Sequence, residues 1–264
     1  MTEAEWLTAT DPKPMLTSLP SRASKRKVRL FAVACSRKIW ASLREDAQRV
    51  TTQRWQKRVR EWFVEGQLDD PCLVLEAAER AAEVSENFAD GLVRESEFRA
   101  AYDIAVQGYY AADQILDLII NERLPRSGIN RTEREIFAAI LTCAVTASRL
   151  QRANLRNNLD YGANTPSDLE TQSNLLRDIF GNPYRKVKLT RKWLTSTVVL
   201  LARQMYETRD FSPMPILADA LQDAGCDNED ILNHCRQPGE HVRGCWVVDL
   251  LTGRKPRPQG VALG

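Results

Sequence analysis

The sequence predicts an all-α protein, an irregular multi-helix bundle or a helical stack, and three observations carry that prediction. Apolar residues recur at spacings of three and four through most of the 264 residues, which is the period of one helix face. The strict alternation of a half-buried strand is almost absent. Cap residues and prolines stand where helices should begin, and glycines where they should end. A hydrophobic fraction of 43% is enough for a core, and no run of eighteen apolar residues offers a membrane span.

Taken in order, the first helices are expected at Ala23 to Leu43 and Thr52 to Phe63. Asp70 then caps a helix with Pro71 in its first turn. Along that helix Leu73, Val74, Ala77, Ala78, Ala81, Val84 and Phe88 share one face, and Glu76, Glu79, Arg80, Glu83 and Glu86 take the other. Further helices are expected at Glu95 to Arg123 and Thr132 to Arg156. Thr165 and Pro166 open the next, which runs to Phe180 and stops at Gly181-Asn182-Pro183. Gly181 to Thr190 reads as a loop carrying Tyr184, Arg185, Lys186 and Lys188, before a helix from Trp193 to Tyr206. The terminal block should hold three short helices: Pro215 to Ala224, closed by a left-handed Gly225, then Asn228 to Cys235, then His241 to Leu251. The expected organisation is therefore an N-terminal helical half, 1–156, a C-terminal helical half, 157–253, and a flexible tail, 254–264, rich in proline and glycine. No period of about 30 to 45 residues repeats, which argues against a solenoid.

The net charge of +2 hides an asymmetry. Arg22 to Arg60 is strongly basic, whereas Glu61 to Glu97 is acid-rich. Neighbouring helices that pair their charged faces would explain both segments. The alternative is a nucleic-acid footprint with Lys25, Arg26, Lys27, Arg54, Lys57 and Arg58 on phosphates, and Trp40, Trp55 and Trp62 as stacking partners. Those tryptophans also have core spacing. The start of the chain lacks the pattern of a signal peptide, and the six cysteines are dispersed in apolar contexts, so a cytoplasmic protein with free thiols is expected.

The last fifth of the chain concentrates possible chemistry. Both histidines, His234 and His241, and three cysteines, Cys226, Cys235 and Cys245, fall within twenty residues. Imidazole and thiolate are zinc ligands, and these five residues are the candidate metal set, although their spacing meets no established zinc signature. A thiol nucleophile is the second reading, with Cys245 paired to His241 one helical turn away and Asp219, Asp227 or Asp249 as orienter. Asp219 and Asp223 share a helical face but read more simply as surface residues. No phosphate-loop, dinucleotide, kinase or nucleophile-elbow motif is present.

Three blocks in this order, TEAEWLTATDPKPML at Thr2 to Leu16, LLRDIFGNPYRKV at Leu175 to Val187 and PILADALQDAGCDNEDILNHCRQPGEHVRGCWVVDLLTG at Pro215 to Gly253, together with RKVRLFAVACSRKIW at Arg26 to Trp40, resemble a large uncharacterised family. Its members occur as many paralogues in single genomes of planctomycete-type bacteria. The resemblance spans nearly the whole chain and implies one natural folded unit, but no activity. The reading is a non-enzymatic interaction or regulatory module with a protein partner, no membrane association and no obligatory cofactor. A nucleic-acid-associated protein and a metal-dependent or thiol enzyme seated in 226–245 are the alternatives.

Overall fold

The structure, a computed structural model, describes residues 1–19, 24, 26–35, 37–38, 71–101 and 166–254. Every regular element among them is helical, and the fold is all-α. In chain order these elements are α1 (Glu3–Thr8), α2 (Pro12–Ser18), α3 (26–35), α4 (Pro71–Ala89), α5 (95–101), α6 (Pro166–Phe180), α7 (Ser196–Thr208), α8 (Met214–Asp223), α9 (Glu229–Arg236) and α10 (Trp246–Thr252). A single 3₁₀ turn, Arg191–Trp193, precedes α7. No helix among the described residues is long and apolar enough to cross a membrane. The expected helices at 52–63 and 132–156, and the tail beyond Arg254, lie outside the described residues.

Contacts divide the chain into two units, one of residues 1–31 with 164–264 and one of 32–163. The sequence suggests a boundary at 156/157, but the first 31 residues join the C-terminal portion for identifiable reasons. The Thr2 side chain and Glu5 form a reciprocal capping box that starts α1, and Asp11 with Pro12 starts α2; both short helices bury large residues. Trp6 and Met15 have no exposed surface. The Trp6 indole Nε1 donates to the Gly181 carbonyl at 3.1 Å. Arg177 donates from Nε to the Trp6 carbonyl at 3.1 Å and from Nη2 to the Ala9 carbonyl, so α6 holds the backbone of the N-terminal segment. α2 packs on α6.

The core of this unit comes from α7 through α10. Val198, Ala202, Met205 and Tyr206 of α7 meet Leu217 and Leu221 of α8, Ile231 and Cys235 of α9, and Val247, Val248 and Leu251 of α10. Thr195 caps α7 by accepting from the Val198 amide at 3.3 Å, which places the helix start three residues beyond the expected Trp193. Trp193 is instead buried from the 3₁₀ turn, its Nε1 donating to the Gly225 carbonyl at 3.2 Å. Gly225 is left-handed, φ +79, and ends α8 as expected.

The last helix departs from the expectation. It begins at Trp246, not His241, because Gly244 adopts φ +99 and breaks the helical path. A Cβ on Gly244 would lie 2.9 Å from Leu30 Cδ1, whereas one on Gly225 would meet nothing within 4 Å. Gly244→Ala should therefore cost about 2 kcal/mol or more in urea unfolding, from backbone strain plus overlap, and Gly225→Ala clearly less. Equal costs would show that the Leu30 contact is irrelevant.

In the second unit, Glu86 is buried on α4 and accepts from Arg37 Nε at 2.9 Å and Nη2 at 3.2 Å. This joins the basic and acidic stretches of the sequence by one bidentate pair. Phe88 and Phe98 stack there with centroids 4.7 Å apart.

Candidate metal centre

Four ligand-type side chains converge in the first unit: Asp178 of α6, His234 of α9, His241 of the turn after it and Cys245 at the N-cap of α10. Local sequence explains each placement. On α6, Leu175, Leu176 and Ile179 form the buried stripe, and Asp178, three residues after Leu175, falls within it. On α9, Asn228 caps the helix by accepting from the Ile231 amide at 3.0 Å; Ile231 and Cys235 then face the core, with His234 at its edge. The Cys245 amide donates to the Val242 carbonyl at 2.9 Å. That closes a turn which brings His241 and Cys245 together without a helix between them.

The four ligand atoms lie within 4.8 Å of one another. Asp178 Oδ1 is 2.6 Å from His241 Nδ1 and 3.2 Å from His234 Nε2. Cys245 Sγ is 3.2 Å from His234 Nε2 and 3.9 Å from His241 Nδ1. A tetrahedral zinc ion with bonds of about 2.0 to 2.3 Å places its ligand atoms roughly 3.3 to 3.6 Å apart. The two 3.2 Å distances come near that, whereas the 2.6 Å contact is a hydrogen bond and the 3.9 Å one is longer, so an ion would have to part Asp178 from His241 and draw Cys245 in. The second carboxylate oxygen, Oδ2, accepts from the Val242 amide at 3.0 Å. This turns Oδ1 toward the imidazoles, the kind of outer support that metal ligands ordinarily have.

Burial and charge shape the site. Cys245 has no exposed surface and Asp178 is 4% exposed, while the His234 and His241 side chains keep 15% and 9%. Burial pushes the Asp178 carboxyl up, but hydrogen bonds from His234 and His241, with the charges of those rings, outweigh it and hold the group below the usual carboxylate range. Burial, and next the neighbouring Asp178 charge, push the Cys245 thiol well up. An ion that brings positive charge to this point would reverse the second effect, since a coordinating thiol is deprotonated outright. Trp246 flanks the site on α10, its ring 5.2 Å from that of His234.

Three of the five sequence candidates, His234, His241 and Cys245, belong to this group, and Cys226 and Cys235 do not. Both of the latter sit in the hydrophobic core. Burial raises the Cys226 thiol and takes Cys235 to about 12. Cys235 follows His234 directly on α9, so the two side chains diverge by about 100°. The fourth group is Asp178, which the sequence reading does not include; its signal is a carboxylate on an otherwise apolar helix stripe. Of the orienters suggested for a nucleophile, Asp249 is taken by Arg26, and Asp219 is exposed beside Arg236 at 3.3 Å.

The nucleic-acid candidates fare differently. Arg26 is 6% exposed and gives both Nη groups to Asp249, at 2.5 and 3.0 Å, with Nη2 also donating to the Tyr206 hydroxyl at 2.7 Å. Lys27 Nζ donates to the Ile179 carbonyl at 2.5 Å. Both cations are thus committed inside the unit. Lys25, Arg54, Lys57 and Arg58 lie outside the described residues. Comparison with protein-family models, with curated proteins and with solved structures returned no match.

Proposed function

We propose that the unit of residues 1–31 and 164–264 is a zinc-stapled helical module with a non-enzymatic, interaction or regulatory role in the cytoplasm. The convergence of Asp178, His234, His241 and Cys245 carries this reading. Four protein ligands fill a tetrahedral shell, and a closed shell is the mark of structural zinc, whereas catalytic zinc keeps a position for water. One thiolate, two imidazoles and one carboxylate suit zinc better than magnesium or calcium, which take oxygen ligands. Free buried thiols at Cys226 and Cys235 fit a reducing compartment.

The same geometry counts against a thiol nucleophile. In a working Cys-His-Asp relay the imidazole uses one nitrogen for sulfur and the other for the carboxylate. Here His234 Nε2 stands 3.2 Å from both Cys245 Sγ and Asp178 Oδ1, so sulfur and carboxylate approach the same nitrogen. A buried thiol pushed well up is also a poor nucleophile.

Protein purified without chelator should carry about one zinc per chain by elemental analysis, and Asp178→Ala and His241→Ala/Cys245→Ala should each lose it. Cobalt substitution should give a sulfur-to-cobalt charge-transfer band that Cys245→Ala removes. Metal-free protein that also fails to take up zinc or cobalt would overturn the reading.

A further inference from the structure

Residues 179–206 contain six basic residues, Arg185, Lys186, Lys188, Arg191, Lys192 and Arg203, and no Asp or Glu. In a chain whose total charge is only +2, that makes a local excess. The structure shows how it is displayed. From Lys186 to Thr190 the chain has neither helix nor strand, and the 3₁₀ turn Arg191–Trp193 follows. Val187 and Leu189 pack against the core and Trp193 is buried, so the intervening Lys186 and Lys188, and then Arg191 and Lys192, are exposed. Arg185 is neutralised by Glu3 at 2.5 Å and Asp230 at 2.9 Å. None of the other four enters an ion pair among the described residues. Tyr184 heads the strip, 43% exposed, its hydroxyl tied to the Met1 carbonyl.

We propose that the 184–192 strip is a nucleic-acid-binding surface, with Lys186, Lys188, Arg191 and Lys192 on successive phosphates of a single strand and the Tyr184 ring as a stacking face. Four cations held on an anchored segment need little ordering on binding, and an exposed aromatic beside a cationic track is the common arrangement for single-strand recognition. An anionic membrane fits less well: the apolar residues between the cations, Val187 and Leu189, are turned into the core and are not free to enter a bilayer. The strip is distinct in sequence from the predicted 22–60 segment, and the proposal does not rest on zinc.

The test is fluorescence anisotropy of a labelled mixed-sequence single-stranded oligonucleotide. Four phosphate contacts predict a slope of log affinity against log salt of about −2.8, so affinity should fall about 50-fold from 50 to 200 mM salt. Lys186→Gln/Lys188→Gln, with unchanged circular dichroism, should flatten the slope by about 1.4. Tyr184→Ala should weaken single-strand binding at least about fivefold and duplex binding much less. Absence of salt-sensitive binding, a slope that the double variant leaves unchanged, or binding to phosphatidylserine vesicles without binding to the oligonucleotide would each overturn the proposal.

Discussion

Removing the proposed zinc with a chelator should lower the stability of the unit of residues 1–31 and 164–264 by several kcal/mol, and re-addition of zinc should restore it. The ligands come from α6, α9, the turn at His241 and the start of α10, and Asp178 is 63 residues from His241 in sequence. One ion would therefore join segments that otherwise meet through packing and a few hydrogen bonds centred on Asp178. An ion that binds only the folded form stabilises it by about 4 kcal/mol when free zinc is a thousandfold above its dissociation constant, against a total of roughly 5 to 15 kcal/mol for a typical domain. Without the ion, the thiol of Cys245 is left protonated by burial and the link between α10 and the imidazoles is reduced to a weak hydrogen bond. Thermal unfolding followed by circular dichroism, with chelator and after re-addition of zinc or of magnesium, measures the effect. Rescue by zinc alone is expected. Stoichiometric zinc whose removal leaves the midpoint unchanged would mean that the ion is not a staple.

The helical class and most C-terminal boundaries are legible in the sequence because cap residues, prolines and left-handed glycines act locally. Asn228 before α9 and Gly225 after α8 fix those ends whatever the tertiary contacts. α1 and α2 are harder to read: six or seven residues are too few to establish a period, and the burial of Trp6 depends on a partner carbonyl at Gly181. His241 to Leu251 reads as one amphipathic helix because Gly244 costs a helix only about 1 kcal/mol on propensity; its close approach to Leu30 is invisible without the fold. The candidate site divides along the same line. His234, His241 and Cys245 announce themselves by residue type. Asp178 does not, since acids are common in helices, and only its place on the stripe of Leu175, Leu176 and Ile179 distinguishes it.

Asp249→Ala should be the most damaging single substitution outside the candidate metal ligands, at about 3 to 5 kcal/mol, because it removes the carboxylate from a buried, bidentate ion pair. Asp249 is 5% exposed and accepts both arms of Arg26. Positive charge is already dense there: the guanidinium carbons of Arg254, Arg243 and Arg26 lie 3.9, 4.8 and 5.9 Å from the Tyr206 ring centroid. The ring offers each some cation–π attraction, and Asp249 gives this group a full negative charge. The penalty belongs to the buried charge that loses its carboxylate more than to the bond, which a second variant separates. Arg26→Met/Asp249→Leu removes both ions and fills their volume, so it should recover most of the loss, as replacement of buried ion pairs by apolar groups often does. Asp219→Ala breaks the pair to Arg236 with Asp219 74% exposed, and should change nothing measurable. Urea midpoints of the three proteins, compared at equal slope, decide the matter. A near-neutral Asp249→Ala, or a double variant no better than the single, would show that Arg26 finds water or another partner when its carboxylate is gone.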